Sequence, residues 1–258
     1  MFRGESGDEE YVPHPHRDPE SRAAARTAAA AELLERAVGY ALGAARCVTP
    51  ALLDRPTPCA GWDLGMLMAH VDDSLAALHE GMAGGLITLV PQRERTTEGE
   101  RTPDGDRITG ESLFAEEGQN AEGGQNAERA EHAGRAKHAE PADPAASFRR
   151  RASALLGAWA SAAPDRRLIA VADSPLTAAA VALTGAVEIA VHGWDITRAT
   201  GQYAHEVPAA LARELLPVSH HLVPAPELRH PLFGPEVPVP PEAPPGLRLV
   251  AYLGRDPG

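Results

Sequence analysis

The stretch "AVEIAVHGWDITRATGQ", residues 186–202, carries metal-ligand side chains inside an otherwise apolar segment. Glu188 and His192 are four residues apart, so a helix places them on one face, one turn apart. Asp195 continues the same row. Because a buried carboxylate without a partner is costly, Glu188 either forms an ion pair with His192 or shares a bound group with it. The spacing alone leaves both interpretations open.

A third candidate, His70, lies in the segment "GWDLGMLMAHVDDSLAALHEGM", residues 61–82. It falls beside the apolar stripe of a predicted helix, where a lone histidine is usually structural. If this helix faces the later one, His70, Glu188 and His192 converge. Two imidazoles and a carboxylate suit a borderline divalent ion such as zinc, and they leave a position for water or substrate.

Apolar residues recurring every three to four positions predict the helices that position these side chains. The late helix is apolar nearly all round between 178 and 191, so we expect it to be the most buried. A helix too apolar for burial on one side makes a homodimer a further expectation. Gly201 is a natural stop for this helix, and Asp63 is a good N-cap for the second. The four long helices are predicted at 20–48, 61–82, 143–163 and 176–200.

The remaining segments predict smaller elements. Residues 208–223 indicate a shorter helix, and "RRLIAVADSPL", residues 166–176, indicates a short extended piece or a loop. The proline-rich residues 224–258 predict an extended wrap that ends in one short apolar docking segment. No β-hairpin is predicted. The expected fold is all-α: an antiparallel four-helix bundle with a short extra helix and a proline-rich C-terminal extension.

Two segments are set apart by composition. Residues 1–19 hold five acidic residues and two arginines without periodicity, and they predict a disordered acidic tail. Residues 91–144 hold thirteen acidic and seven basic residues and repeat "GQNAE" at 118–122 and 124–128, which predicts a low-complexity insertion. The expected organisation is a single domain over 20–258, interrupted by this insertion.

The net charge of −12 argues against a nucleic-acid partner, since phosphate contacts need a basic surface. No signal peptide and no run of about 18 apolar residues is recognisable, so we expect no membrane partner and a cytoplasmic protein. In the cytoplasm, the two cysteines, Cys47 and Cys59, are expected to be free thiols.

Three segments carry a family resemblance. "PTPCAGWDLGMLMAHV" and "EIAVHGWDITRATGQ" resemble the two signature segments of the DinB-like superfamily, and more narrowly its actinobacterial branch that includes the N-terminal domain of mycothiol-dependent maleylpyruvate isomerase. The ending "FGPEVPVPPEAPPGLRLVAYLGRDPG" is similar to a single-domain, metal-binding group of that branch. The resemblance covers roughly residues 25–90 and 145–258.

The resemblance implies a DinB-like four-helix bundle that holds a divalent metal. Matched residue by residue, its metal ligands are His70, Glu188 and His192, and the ion is Zn²⁺ or another divalent metal such as Ni²⁺ or Fe²⁺. Asp195, one turn past His192, then either orients a ligand by a hydrogen bond or bonds Arg198.

Neighbouring side chains receive simpler interpretations. Trp62 and Trp194 are expected to pack around the site. Cys59 is interpreted as a small buried residue rather than a nucleophile, because no basic residue follows within reach along the chain to lower its pKa. The histidines expected not to bind metal are His14, His16, His79, His132, His138, His205, His220, His221 and His230.

The chemistry of thiols gives the function that the resemblance implies. A free thiol has a pKa near ~8.5, and a coordinating cation deprotonates it. The chain is thus expected to be a divalent-metal-dependent enzyme that uses mycothiol for S-transfer to, or isomerisation of, a small electrophilic substrate. Activation of water for hydrolysis is another use of the same site. The alternative is a non-catalytic helical protein that binds a metal or a small ligand.

Overall fold

The computed structural model describes residues 18–87, 143–161, 168–171, 174–223, 229 and 233–258. Except for residues 18, 19, 143 and 144, the predicted acidic tail and the predicted insertion lie outside the described residues. The helices are α1 (Pro19–Ala45), α2 (Leu64–Gly84), α3 (Ala146–Ser161), α4 (Ala178–Thr200), α5 (Ala209–Leu222) and α6 (Pro245–Tyr252). The strands are β1 (Leu86–Ile87), β2 (Leu168–Val171) and β3 (Ser174–Thr177), and Pro50–Leu52 form one turn of 3₁₀-helix.

Helix α4 lies at the centre of the described residues and is flanked most extensively by α1. It begins where the Thr177 side chain accepts a hydrogen bond from the Ala180 amide, 3.2 Å away. It ends at Gly201, whose φ of 78° is a left-handed conformation that suits glycine. These bounds place Glu188, His192 and Asp195 in the middle and second half of one continuous helix.

The apolar surface of α4 is covered by helices of its own chain, chiefly α1, α2 and α5. Within the described residues, it is the one helix long and apolar enough to cross a membrane, but 72% of the apolar window is buried inside the structure. Its apolar character therefore fits a core helix. The reason for expecting a homodimer is that this helix is too apolar for burial on one side. That reason no longer holds, because its own chain covers the helix, and the homodimer stays a prediction.

A three-stranded sheet corrects the expectation of an all-α fold. Strand β1 pairs in parallel with β2, and β2 pairs antiparallel with β3. The strands are only two to four residues long, which is too short for an alternating pattern to show in sequence. Ile169 is buried where it packs near Gly81 of α2. The fold is helical overall with this small sheet, and the four-helix bundle of the DinB-like type stays a prediction.

The proline-rich C-terminal segment ends in a docked helix. Residues 234–240 run without helix or strand, and the amide of Val237 donates to the carbonyl of Ala251 at 2.9 Å. Leu249, Val250 and Leu253 are buried, and α6 packs against α5. The chain after α6 then turns back toward α4 and brings Arg255 into the interior.

Candidate metal centre

A tight turn before α2 sets one wall of the site. The amide of Trp62 donates to the carbonyl of Cys59 at 3.0 Å, and the amide of Thr57 donates to the carbonyl of Trp62 at 3.1 Å. Gly61 adopts a φ of 78°, which other residues rarely adopt. Asp63 then caps α2 by accepting from the Met66 amide at 2.7 Å. Cys59 and Trp62 are therefore held at the start of the helix that carries His70.

The structure brings His70, Glu188 and His192 together. Their ligand atoms all lie within 4.8 Å of one another. His70 Nε2 is 3.2 Å from Glu188 Oε1, and the rings of His70 and His192 meet edge-on with centroids 5.0 Å apart. The His70 and Glu188 side chains are 23% and 32% exposed, whereas His192 is buried. The group is thus buried at His192 and partly open to solvent at His70 and Glu188.

Glu188 is held by two donors. Its Oε1 accepts a hydrogen bond from the Ser74 hydroxyl as well as from His70. Burial alone would raise the pKa of Glu188, but the hydrogen bond from His70, the nearby charge of His192 and the bond from Ser74 hold that pKa below its ordinary value. Glu188 is therefore ionised at neutral pH, as a metal ligand must be. Ser74 lies one turn after His70, a spacing that could have revealed its role from the sequence.

Asp195 orients the ring of His192. Its Oδ2 lies 3.0 Å from His192 Nδ1, which leaves Nε2 as the ring nitrogen free for another partner. Asp195 is fully buried. Burial raises its pKa, but the hydrogen bond with His192 and the charge of Arg255 outweigh this effect and hold the pKa below its ordinary value. The other partner considered for Asp195, Arg198, instead pairs with Glu206.

Sequence reasoning missed Arg255, which lies beneath the site. Its Nη2 is 3.1 Å from Asp195 Oδ2 and 3.2 Å from Cys59 Sγ. The sequence feature that could have pointed to Arg255 is its place three residues after Tyr252, where α6 ends. No basic residue follows Cys59 within reach along the chain, but the fold supplies one from a segment distant in sequence.

Cys59 is nonetheless a poor nucleophile in this environment. Burial, followed by the charge of Asp195, raises the pKa of Cys59 to about 12 despite the opposing charge of Arg255. The thiol donates to Asp195 Oδ2 at 3.1 Å. It is half-buried and free of any disulfide.

The two tryptophans differ in their distance from the candidate ligands. Trp62 meets the His70 ring edge-on, with centroids 4.9 Å apart, and stacks more distantly on His192 at 6.4 Å. Trp194 is 1% exposed, and its indole nitrogen donates to Glu206 at 3.0 Å. Trp62 thus borders the candidate ligands, while Trp194 packs behind them.

Two groups of side chains in the described residues have donors close enough for a metal, and His192 belongs to both. In the group of Cys59, His192 and Asp195, the guanidinium of Arg255 already supplies the positive charge. In the group of His70, Glu188 and His192, the His70–Glu188 separation of 3.2 Å is close to the roughly 3.3 Å between two ligands of a tetrahedral zinc ion. The donor set of the second group fits a divalent metal.

The other described histidines lie elsewhere. His79 lines a separate cavity between α2 and α3, and His205 stacks on Tyr40. His220 packs against Tyr252, and His221 lies 2.9 Å from the carbonyl of Pro217. The remaining five fall outside the described residues; these are His14, His16, His132, His138 and His230.

The chain was compared with known proteins and families. No curated protein and no solved structure matches it. Residues 34–197, which include His70, Glu188, His192 and Asp195, match the family described as the mycothiol maleylpyruvate isomerase N-terminal domain. The match covers more than half of the 258 residues. The chain therefore belongs to the mycothiol maleylpyruvate isomerase N-terminal domain family.

Proposed function

We propose that this chain is a divalent-metal-dependent enzyme that uses mycothiol for S-transfer to, or isomerisation of, a small electrophilic substrate. The proposed ligands are His70, Glu188 and His192, and the ion is Zn²⁺ or another divalent metal such as Ni²⁺ or Fe²⁺. A metal bound there supplies a positive charge that lowers the pKa of a thiol or a water molecule.

One observation carries this proposal. Two imidazoles and a carboxylate from α2 and α4 converge on one point, and two of the three side chains remain partly exposed. In the part of the chain that the structure describes, no fourth histidine, cysteine or acidic side chain joins this group. Three protein ligands with an open position are typical of catalytic metal sites, whereas structural sites are closed by four.

The residues around the ligands support the same role. Asp195 holds His192 through Nδ1, which leaves Nε2 available to a metal, and Ser74 holds the Glu188 carboxylate. Trp62 gives the open side an apolar wall beside the two histidines. A small substrate that enters from this side meets the ligands directly.

The first test is the metal content of the purified full chain, measured by elemental analysis without added metal. We expect about one equivalent of a divalent ion in the wild type and its loss in His70→Ala. His79→Ala is the matched control, because His79 lies on the same helix but lines a different cavity. A wild-type protein that holds no metal and takes up none on titration would contradict the proposal.

The thiol is tested separately on the Co²⁺-loaded protein. Coordination of the mycothiol sulfur produces a sulfur-to-cobalt charge-transfer band, which the oxidised disulfide form of mycothiol should not produce. Absence of the band in a protein that binds Co²⁺ would retain the metal site and reject mycothiol as the co-substrate.

The second candidate function is a non-catalytic metal- or small-ligand-binding protein. It is favoured by the direct pairing of His70 with Glu188, which satisfies both side chains without any ion. A metal-loaded protein that binds neither mycothiol nor a displaceable water would support this alternative.

A further inference from the structure

A buried arginine near the site comes from a part of the chain that the family match does not include. Arg255 follows α6, well beyond the end of the match at residue 197, and is 6% exposed. Its Nη2 lies 3.1 Å from Asp195 Oδ2, and its Nε lies 3.4 Å from Oδ1. Arg255 therefore contacts both oxygens of one buried carboxylate.

Asp195 transmits this contact to a proposed metal ligand. The same Oδ2 that bonds Arg255 lies 3.0 Å from His192 Nδ1. A carboxylate held on both oxygens cannot rotate freely, so the imidazole that it contacts is held in one orientation. Hydrogen-bond partners of this kind fix the ring nitrogen that a ligating histidine presents to its metal.

A chain reversal and local hydrogen bonds fix the position of Arg255 in the C-terminal segment. Gly254 has a φ of 81°, and a Cβ there would lie 2.6 Å from the backbone of Gly234, so the chain reverses at a position where only glycine fits. The Arg255 amide then donates to the Val250 carbonyl at 3.0 Å. Its Nη1 donates to the Leu253 carbonyl at 2.9 Å.

Arg255 also bears on which of the two candidate groups takes a metal. Its Nη2 lies between Cys59 Sγ, at 3.2 Å, and Asp195 Oδ2, at 3.1 Å. A guanidinium in this place repels a second cation from the group of Cys59, His192 and Asp195. Because the charge of Arg255 disfavours a metal in that group, the group of His70, Glu188 and His192 is the better place for a divalent ion.

We propose that Arg255 is a positioning residue of the metal site, which acts through Asp195 to hold His192 Nε2 toward His70 and Glu188. The inference rests on the proposed metal site. It assigns a role at that site to Arg255, a residue outside the family match that would act without contacting the metal.

The experiment measures Zn²⁺ affinity of the full chain by competition with a chromophoric chelator. We expect Arg255→Met to weaken binding by about 10-fold, the lower end of the loss that follows removal of a direct partner of a ligating histidine, because Arg255 acts through Asp195. Arg248→Met is the matched control, because Arg248 is an exposed arginine on α6. The Co²⁺ absorption spectrum should change in Arg255→Met and stay as wild type in Arg248→Met, because only the former alters the orientation of a ligand.

A double-mutant comparison tests whether Arg255 acts through Asp195. Asp195→Asn should weaken Zn²⁺ binding, and adding Arg255→Met to it should change the affinity no further, because the contact that carries the effect is already lost. This pair also leaves no unpaired charge in the interior. If Arg255→Met alone does not fold, the question is decided by Arg255→Lys and by the comparison of Asp195→Asn with the double variant. The Zn²⁺ affinity of Arg255→Lys is expected to lie between those of wild type and Asp195→Asn.

Three results would overturn the inference in distinguishable ways. If the wild type binds Zn²⁺ and Arg255→Met, or in its place Arg255→Lys, shows wild-type affinity and the wild-type Co²⁺ spectrum, Arg255 has no positioning role and the proposed metal site stands. Additive losses in the double variant would likewise reject action through Asp195. If the wild type binds neither ion, the proposed metal site and this inference fall together.

Discussion

At the scale of single residues, the two cysteines show how the environment sets reactivity. Cys59 lies beside a basic residue, which in isolation would favour the thiolate. Burial and the Asp195 carboxylate outweigh Arg255 and raise the pKa of Cys59 to about 12. A raised pKa keeps the thiol protonated, and the thiolate is the reactive form. Cys47, in contrast, is exposed.

We expect iodoacetamide at pH 8 to alkylate Cys47 in the native protein and to leave Cys59 unmodified. Peptide mapping by mass spectrometry measures both sites in one sample, so Cys47 is the internal control. In denaturant, both cysteines should react, since unfolding removes the burial and the carboxylate. Rapid native labelling of Cys59 would show that its thiol is more acidic than its surroundings imply.

At the scale of elements, small residues decide how closely α1 and α4 approach. Gly193 of α4 faces the Tyr40 ring and the backbone of Ala41, and a Cβ at Gly193 would lie 3.0 Å from that ring and 3.2 Å from the Ala41 Cα. Contacts this short require the Tyr40 ring or the backbone of Ala41 to shift by a few tenths of an ångström in a tightly packed interior. Because Gly193 follows His192 directly, this packing also fixes the position of a proposed ligand.

Gly193→Ala is therefore expected to lower the free energy of unfolding by about 1–3 kcal/mol, as overpacking of a core does. The matched control is Gly39→Ala in the exposed face of α1, where a Cβ meets nothing within 4 Å. That variant should raise stability by about 0.5–1 kcal/mol through helix propensity. Urea unfolding followed by circular dichroism compares the three proteins, and equal stability of Gly193→Ala and wild type would reject the close approach.

At the scale of the whole molecule, the proposed metal would link α2 to α4 through His70 on one helix and Glu188 and His192 on the other. A ligand that binds the folded state alone stabilises it by mass action. The link would join segments more than one hundred residues apart in the sequence. Metal binding and thermal stability should therefore be coupled.

Zinc at a free concentration a hundredfold above Kd should add about 2.7 kcal/mol and raise Tm by roughly 5–10 °C. A chelator should reverse the shift, and His70→Ala should show none, whereas His79→Ala should behave as wild type. Differential scanning calorimetry gives the comparison. A shift of the same size in His70→Ala would place the stabilising ion at another site.

The long helices and the candidate site residues could be predicted from local sequence and short motifs. The late helix was predicted to Thr200 with its stop at Gly201, and Glu188, His192 and Asp195 share one face because their spacing matches the helical repeat. Such features depend on neighbours within one or two turns, so local sequence carries them. Family membership also followed from short contiguous motifs.

Which distant groups meet could be read only from the folded chain. The contacts of His70 with Glu188, and of Arg255 with Asp195 and Cys59, join residues from different elements, and no local periodicity encodes such pairings. For residues 166–176 the sequence left a short extended piece and a loop both open, and the pairing into a sheet was not predicted, since strands of two to four residues are stabilised by partners rather than by their own pattern. The environment of Cys59 is the clearest case: its burial, its carboxylate and its arginine all come from contacts made on folding.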